Sequence, residues 1–134
     1  MREILFRGKD LKTGKWLYGS FVNTPNHTYI STNGEAFPAK VEPKTVGQYT
    51  GLTDKNGTKI FEGDVVRISE DDYDGLHYSG NEVYYSDGAF CVEYETPEYD
   101  VTSIGFLVRE GVEVEVIGNI YDNPELIGGA ENDT

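Results

Sequence analysis

The chain of 134 residues is predicted to be all-β, and three observations carry that expectation. Glycine (16) and tyrosine (10) are abundant, and with Val and Thr they give the composition of short strands and tight turns. Turn-forming pairs recur along the chain, among them Thr13-Gly14, Asn33-Gly34, Asn56-Gly57 and Asp87-Gly88. Each supplies residues that tolerate the left-handed backbone a tight reversal needs. No long segment repeats its apolar residues with a period of about 3.6, so little helix is expected.

Taken in order, Ile4-Leu5-Phe6-Arg7 and Lys15–Val22 read as an opening hairpin rich in aromatics. Pro25, Pro38 and Pro43 punctuate the next stretch, which limits Thr28-Tyr29-Ile30 and Glu35-Ala36-Phe37 to short or edge strands. The stretch near Lys40–Lys44 is expected to connect two subdomains. These are an N-terminal β-hairpin subdomain over 1–45 and a C-terminal β subdomain over 46–134, forming one compact unit together. In the second, Val46–Leu52, Lys59–Phe61 and Val65–Ile68 read as strands, separated by an Asn-Gly turn and by Glu62-Gly63-Asp64. Residues 69–80 are polar, acidic and Gly-containing, hence a long surface loop. Asp87-Gly88 joins Glu82–Tyr85 to Ala89–Tyr94 in the clearest hairpin of the chain. Ser103–Leu107 fits a short strand or a helical turn. Val112–Ile117 alternates, with Val112, Val114 and Val116 on one face and Glu113 and Glu115 on the other, and it continues through Tyr121 with a bulge or bend at Gly118. Asp122-Asn123-Pro124 ends it, and Glu125–Ile127 adds one turn of helix. About five short strands with one long early loop suggest a small, partly open, SH3-like β-barrel in the C-terminal part.

Charge is segregated along the chain. Of the net −13, residues 1–67 carry 10 basic and 7 acidic side chains, whereas 68–134 carry 1 basic and 17 acidic. Two readings stand side by side: a solvated acidic surface that favours solubility, or an acidic half that meets a basic surface on a partner protein or on another copy. Nucleic acid binding through 68–134 is disfavoured, because phosphate contacts need Lys and Arg and that half has only Arg109. The apolar run at the N-terminus is too short for a signal peptide core or a membrane span, so a cytoplasmic location without a membrane partner is expected. A single Cys91 cannot form an intramolecular disulfide, and with only His27 and His77 it cannot complete a Cys/His zinc site.

The search for chemistry is mostly one of exclusion. Glu70, Asp72 and Asp74, with Gly75, match positions one, three, five and six of an EF-hand loop. Position twelve falls on Asn81, with Glu82 one residue late, and no flanking helices are apparent. A solvated acidic loop is therefore favoured over a cation site. Cys91 shares a strand face with Glu93 and Glu95, whose charge opposes formation of a thiolate, and nothing places His27 or His77 beside it. No Gly-x-Ser-x-Gly elbow or Gly-rich phosphate loop is present. No catalytic residue, metal or cofactor is expected. Trp16, Tyr18 and Phe21 accompany Lys9, Lys12 and Lys15, a combination that suits either packing or a stacking platform for single-stranded nucleic acid, and packing is favoured for Trp16.

Several blocks nevertheless form a recognisable pattern: Arg2–Gly8, Gly14–Gly19 with Trp16, Gly47-Gln48-Tyr49-Thr50-Gly51-Leu52, Asp54-Lys55-Asn56-Gly57, Ile60–Val66 with Glu62, Gly63 and Asp64, and Glu115–Leu126 with Gly118, Asn119 and Tyr121. In this order they resemble the YopX family of phages and prophages, over nearly the whole chain. The resemblance implies a mostly β protein of a phage or prophage, at work in a bacterial host and without an enzymatic activity to carry over. The signature residues themselves read as scaffold. The glycines sit where turns or bulges need a missing Cβ, Asp64 can accept turn amides, and Gln48 and Asn119 need hydrogen-bond partners from neighbouring backbone if buried. The function expected is that of a non-enzymatic accessory protein, a β scaffold that forms homo-oligomers or binds a host or phage protein. The alternative is a nucleic-acid-related role, by direct binding through the basic N-terminal part or by acidic mimicry of DNA.

Overall fold

Phe6–Lys9 (β1) and Trp16–Asn23 (β2) pair antiparallel in the computed structural model, which describes residues 3–32, 37–72, 75–77, 80–94 and 101–127. The turn between them forms because Asp10 holds it: one carboxylate oxygen accepts the amides of Lys12 (2.7 Å) and Thr13 (3.1 Å), and Gly14 takes φ +72°. By compactness the chain divides into two units, Met1–Gly51 and Leu52–Thr134.

In the first unit, β2 changes partners halfway along. Trp16–Gly19 pairs with β1, and Ser20–Asn23 pairs with Thr28–Ser31 (β3). At the changeover a Cβ on Gly19 would collide with the Ser31 carbonyl, so only glycine fits there. Ala39–Lys40 (β4) follows β3, and Gly47–Thr53 (β5) pairs with β1, giving the order β4-β3-β2-β1-β5. The sheet then curls back on itself. Asp10 bridges to Val41, the Leu11 amide donates to the Lys40 carbonyl (3.0 Å), and the Glu42 amide donates to the Lys9 carbonyl (2.9 Å). The inner face carries the buried Ile30 and Val41, against which Gly8 packs so closely that a Cβ would lie 3.1 Å from a Val41 methyl.

One expectation is corrected here. Lys40–Lys44 is not an open connecting stretch: Val41 is core, and Pro43–Thr45 is a 3-10 turn whose Thr45 hydroxyl accepts the Lys9 amide at 2.9 Å. Pro43 ends the strand and starts the turn without breaking the unit. By compactness the first unit runs to Gly51, and its Gly47 and Gln48 are paired with Arg7 and Phe6.

In the second unit, Lys59–Phe61 (β6) leads through the Glu62-Gly63 turn into the nine-residue Asp64–Asp72 (β7). Strand β7 pairs antiparallel with Gly75–His77 (β8), with Gly80–Glu82 (β9) and with the later Glu113–Asn119 (β13). Tyr84–Ser86 (β10), Ala89–Val92 (β11) and Thr102–Ser103 (β12) form a separate three-stranded sheet. As expected, Asp87 (φ +51°) and Gly88 (φ +86°) both adopt the left-handed backbone of a two-residue hairpin turn. Ser103 then caps a short helix, Ile104–Arg109 (α1), by accepting the Phe106 amide at 3.1 Å. The core gathers Ile60, Val66, Ile68, Val83, Val92, Ile104, Leu107 and Val114.

The expected all-β class holds: among the described residues the sheets are antiparallel and the one α-helix has six residues. Among the described residues the sheets do not close into a barrel. The stretch 69–80 is not one long loop: β7 runs on to Asp72, and Glu70, Asp71 and Asp72 pair with His77, Leu76 and Gly75. A paired, extended backbone over Glu70–Asp72 is incompatible with the coiled loop that an EF-hand wraps around its ion. Asp74 of that alignment and Ala36 of the expected short strand lie outside the described residues.

Candidate interaction surface

The register of the first unit decides which side chains face outward. Directly opposed residues in an antiparallel pair share a face, so Arg7 with Tyr18, Lys9 with Trp16, Val22 with Tyr29 and Tyr29 with Lys40 all lie on the face away from Ile30 and Val41. Three aromatic rings and three cations thus occupy one side of the curled sheet. The Arg7 guanidinium lies 4.6 Å from the centre of the Trp16 ring and the Lys9 ammonium 5.5 Å, distances at which the ring quadrupole attracts a cation. Arg7 is itself buried (6% exposed), which fixes the orientation of Trp16, whereas Tyr18 (46%) and Val22 (38%) stand exposed.

The aromatic and basic set read from the sequence is therefore only partly assembled. Trp16, Tyr18 and Lys9 come together, but Phe21 points to the other face, where its ring lies 5.3 Å from that of Phe6. Lys12 and Lys15 belong to the turn between β1 and β2. The sequence reading missed Arg7, Tyr29 and Lys40. Alternation along the proposed opening hairpin could have placed Arg7 beside Tyr18, but Tyr29 and Lys40 depend on the partner change at Gly19.

Apart from Trp16 on β2, the signature residues fall into two places. Gly47 and Gln48 flank β1, Tyr49 is buried with its amide donating to the Leu5 carbonyl (2.8 Å), Thr50 is half-buried, and Gly51 takes φ +89°. Glu62-Gly63-Asp64 and Gly118-Asn119-Tyr121, more than 50 residues apart in the chain, meet in the second unit. Asp64 pairs with Asn119, and the Gly63 carbonyl accepts the Ile120 amide at 2.9 Å. Asp64 is buried and accepts the Phe61 amide at 2.7 Å. Asn119 accepts the amides of Tyr121 (3.0 Å) and Asp122 (2.8 Å). Gly118 follows a register shift, and a Cβ there would approach Asn123 Oδ1 to 2.6 Å. In the second unit Asp64 and Asn119 accept turn amides, and Gly118 lies at a bulge.

Asp54 has a larger part than its turn position indicated. One carboxylate oxygen accepts the amides of Asn56 and Thr58 (both 2.9 Å), and the other reaches 62 positions along the chain to the Val116 amide at 2.8 Å. Burial alone would push this carboxyl up, but the amides of Val116, Thr58 and Asn56, with Lys55, hold it below its ordinary value. The reverse occurs at Glu82, where burial and then the charge of Glu93 push the carboxyl up. Tyr84 is raised by burial and by the neighbouring Glu93, Cys91 and Glu82. Cys91 is buried with its Sγ 3.7 Å from the Ala89 carbonyl, and His27 belongs to the first unit, with its ring 6.2 Å from that of Tyr29. Among the described residues, no group of three or more His, Cys, Asp or Glu is placed to hold a metal ion, and no helix is long and apolar enough to cross a membrane.

The charge split follows the two units. Met1–Gly51 carries 7 basic and 4 acidic residues, net +3, and Leu52–Thr134 carries 4 basic and 20 acidic, net −16. Cations of the second unit are engaged within it: Arg67 with Glu115 (3.1 Å), Lys55 with Glu113 (3.5 Å), and Arg109 over the Phe106 ring (5.6 Å).

A fold of this kind, two small antiparallel β units, matches known proteins along most of its length. The model of the YopX protein family covers residues 5–128, and the chain belongs to that family. It is 38% identical over 77 residues to the SPbeta prophage-derived uncharacterized protein YopX of Bacillus subtilis (strain 168). That match takes in 56% of this chain and 54% of the relative, so it spans about half of the relative's length. The crystal structure of protein yopX from Bacillus subtilis superposes with a TM-score of 0.63 at 25% identity, over 92% of this chain and 97% of the other. The crystal structure of protein EF1440 from Enterococcus faecalis gives 0.55 at 26%, over 95% and 99%.

Proposed function

We propose that this protein is a non-enzymatic accessory protein of a prophage, a β scaffold that associates with further copies of itself in the bacterial cytoplasm. The prophage origin of the Bacillus subtilis relative supports the setting. The non-enzymatic reading is supported by Cys91, which is buried with its Sγ against the Ala89 carbonyl, and by Asp64, Gly118 and Asn119, which serve turns and a bulge. One observation carries self-association: net charges of +3 and −16 reside on separate compact units of one chain. At about 0.1 M salt a Debye length of ~10 Å screens the long-range repulsion between copies that are each −13 overall but leaves a +3 unit to attract a −16 unit at contact, and at about 1 M (~3 Å) that contact is screened as well. Light scattering at both salt concentrations tests this. The expected result is a mass above the 15.0 kDa monomer at low salt that falls towards it at high salt. A monomer under both conditions overturns the reading.

A further inference from the structure

Resting on the self-association reading, we propose that the outer face of the first unit, built on Trp16, Tyr18, Val22, Tyr29, Lys9 and Lys40, docks the acidic second unit of a neighbouring copy, so that assembly runs head to tail. The composition of the face is that of a protein-binding centre. Trp, Tyr and Arg dominate binding energy at interfaces when they are held rigidly, and here buried Arg7 lies 4.6 Å from the Trp16 ring while Tyr18 and Val22 stand exposed beside it. Lys9 and Lys40 flank the rings on β1 and β4, where a polar rim steers an oppositely charged partner.

The occupant follows from charge. The second unit holds 20 carboxylates against 4 cations, and the Arg67, Lys55 and Arg109 cations already make contacts within it. Burial and then the charge of Glu93 push the Glu82 carboxyl up, so like charges crowd one place in this unit. A cationic neighbour relieves that repulsion. Head to tail, each copy uses its basic face towards one neighbour and its acidic unit towards the next, so the contact is heterologous and builds rings or open chains.

A mixing experiment separates this arrangement from its competitors. The double variant Tyr18→Ser/Lys40→Glu, checked for native circular dichroism, is expected to associate at least about tenfold more weakly than wild type at low salt, the loss expected when one interface anchor is removed. Its acidic unit is intact, so when mixed in equal amounts with wild type it binds at chain ends and lowers the average mass. A misfolded variant would leave wild-type assemblies unchanged, and Lys40→Glu alone, at an exposed position, repeats the test with a milder change. If the wild type associates and both variants associate equally well, the face is not the docking site although self-association stands. If the wild type is monomeric at every salt concentration, self-association and its interface both fail. Quenching of Trp16 fluorescence by single-stranded oligothymidylate, lost in Tyr18→Ser, would assign the face to nucleic acid and overturn the proposal.

Discussion

The two units solve the same problem, a small antiparallel sheet with one face to bury, in different ways. The first curls until Asp10 meets Val41 and fills its narrow interior with Ile30 and Val41, leaving room for no side chain at Gly8. Trp16, Tyr18 and Tyr29 lie on the opposite face with cations, Tyr18 exposed and the others half-buried, while Tyr49 is buried. The second gathers eight buried apolar residues from its strands and helix, and it uses carboxylates to pin turns to strands. Aromatic bulk is thus diverted to a surface in one unit, and acidic charge is put to structural use in the other. Positions of similar residue type carry different energetic weight as a result.

The largest expected effect falls in the second unit. Ile68→Ala, which empties a fully buried site in the eight-residue core, should cost about 4 kcal/mol in urea unfolding. The comparison sharpens if Ile30→Ala in the first unit costs less, about 3 kcal/mol, because its core is smaller and its walls can close in. Equal costs would count against the contrast. Asp54→Ala leaves the Val116 amide and two turn amides without their carboxylate and should cost about 3 kcal/mol. Gly19→Ala, which drives a methyl into the Ser31 carbonyl, should cost about 2 kcal/mol and disturb the pairing of β2 with β3.

Smaller effects lie in pH dependence, where two acids act in opposite directions. Asp54 titrates below its ordinary value of 3.8 in the folded protein. Its contribution is complete above that value and is lost as pH falls through the lower folded value. Acid unfolding of Asp54→Asn should lack this slope. Glu82 titrates above its ordinary 4.5, so the folded protein holds the extra proton and stability declines as pH rises from 4.5 through the raised value. Glu82→Gln should therefore melt slightly higher than wild type at neutral pH, by less than about 3 °C, and match it in acid. An unchanged or lower Tm at neutral pH would show that neither burial nor Glu93 burdens Glu82.

Much of the fold was legible in local chemistry. Asp87-Gly88 marked its hairpin because left-handed backbone at both central residues is needed there, and Gly118 marked its bulge next to the alternating Val114 and Val116. The helical option at Ser103 was open because an N-cap hydroxyl and a strand end look alike in sequence until the Phe106 amide is seen to take it. The stretch 69–80 misled, since polar and acidic composition suggests a loop while the pairing of Glu70 with His77 is a backbone matter. Likewise Lys40–Lys44 looked like a connection because prolines punctuate locally, whereas Val41 is held by contacts with Gly8 and Asp10 more than 30 residues earlier.

For the interaction surface the division is sharper. Residue types and local periodicity determined that the protein is β-rich, turn-dense and split in charge, because these depend only on neighbours in the chain. Alternation within one strand already sets Trp16 and Tyr18 on one face and Phe21 on the other, but tertiary structure alone decided that Tyr29 and Lys40 join Trp16 and Tyr18. It likewise decided that Asp54 would find the Val116 amide. A strand's alternation gives two faces, and only pairing between distant strands says which of them meets the core.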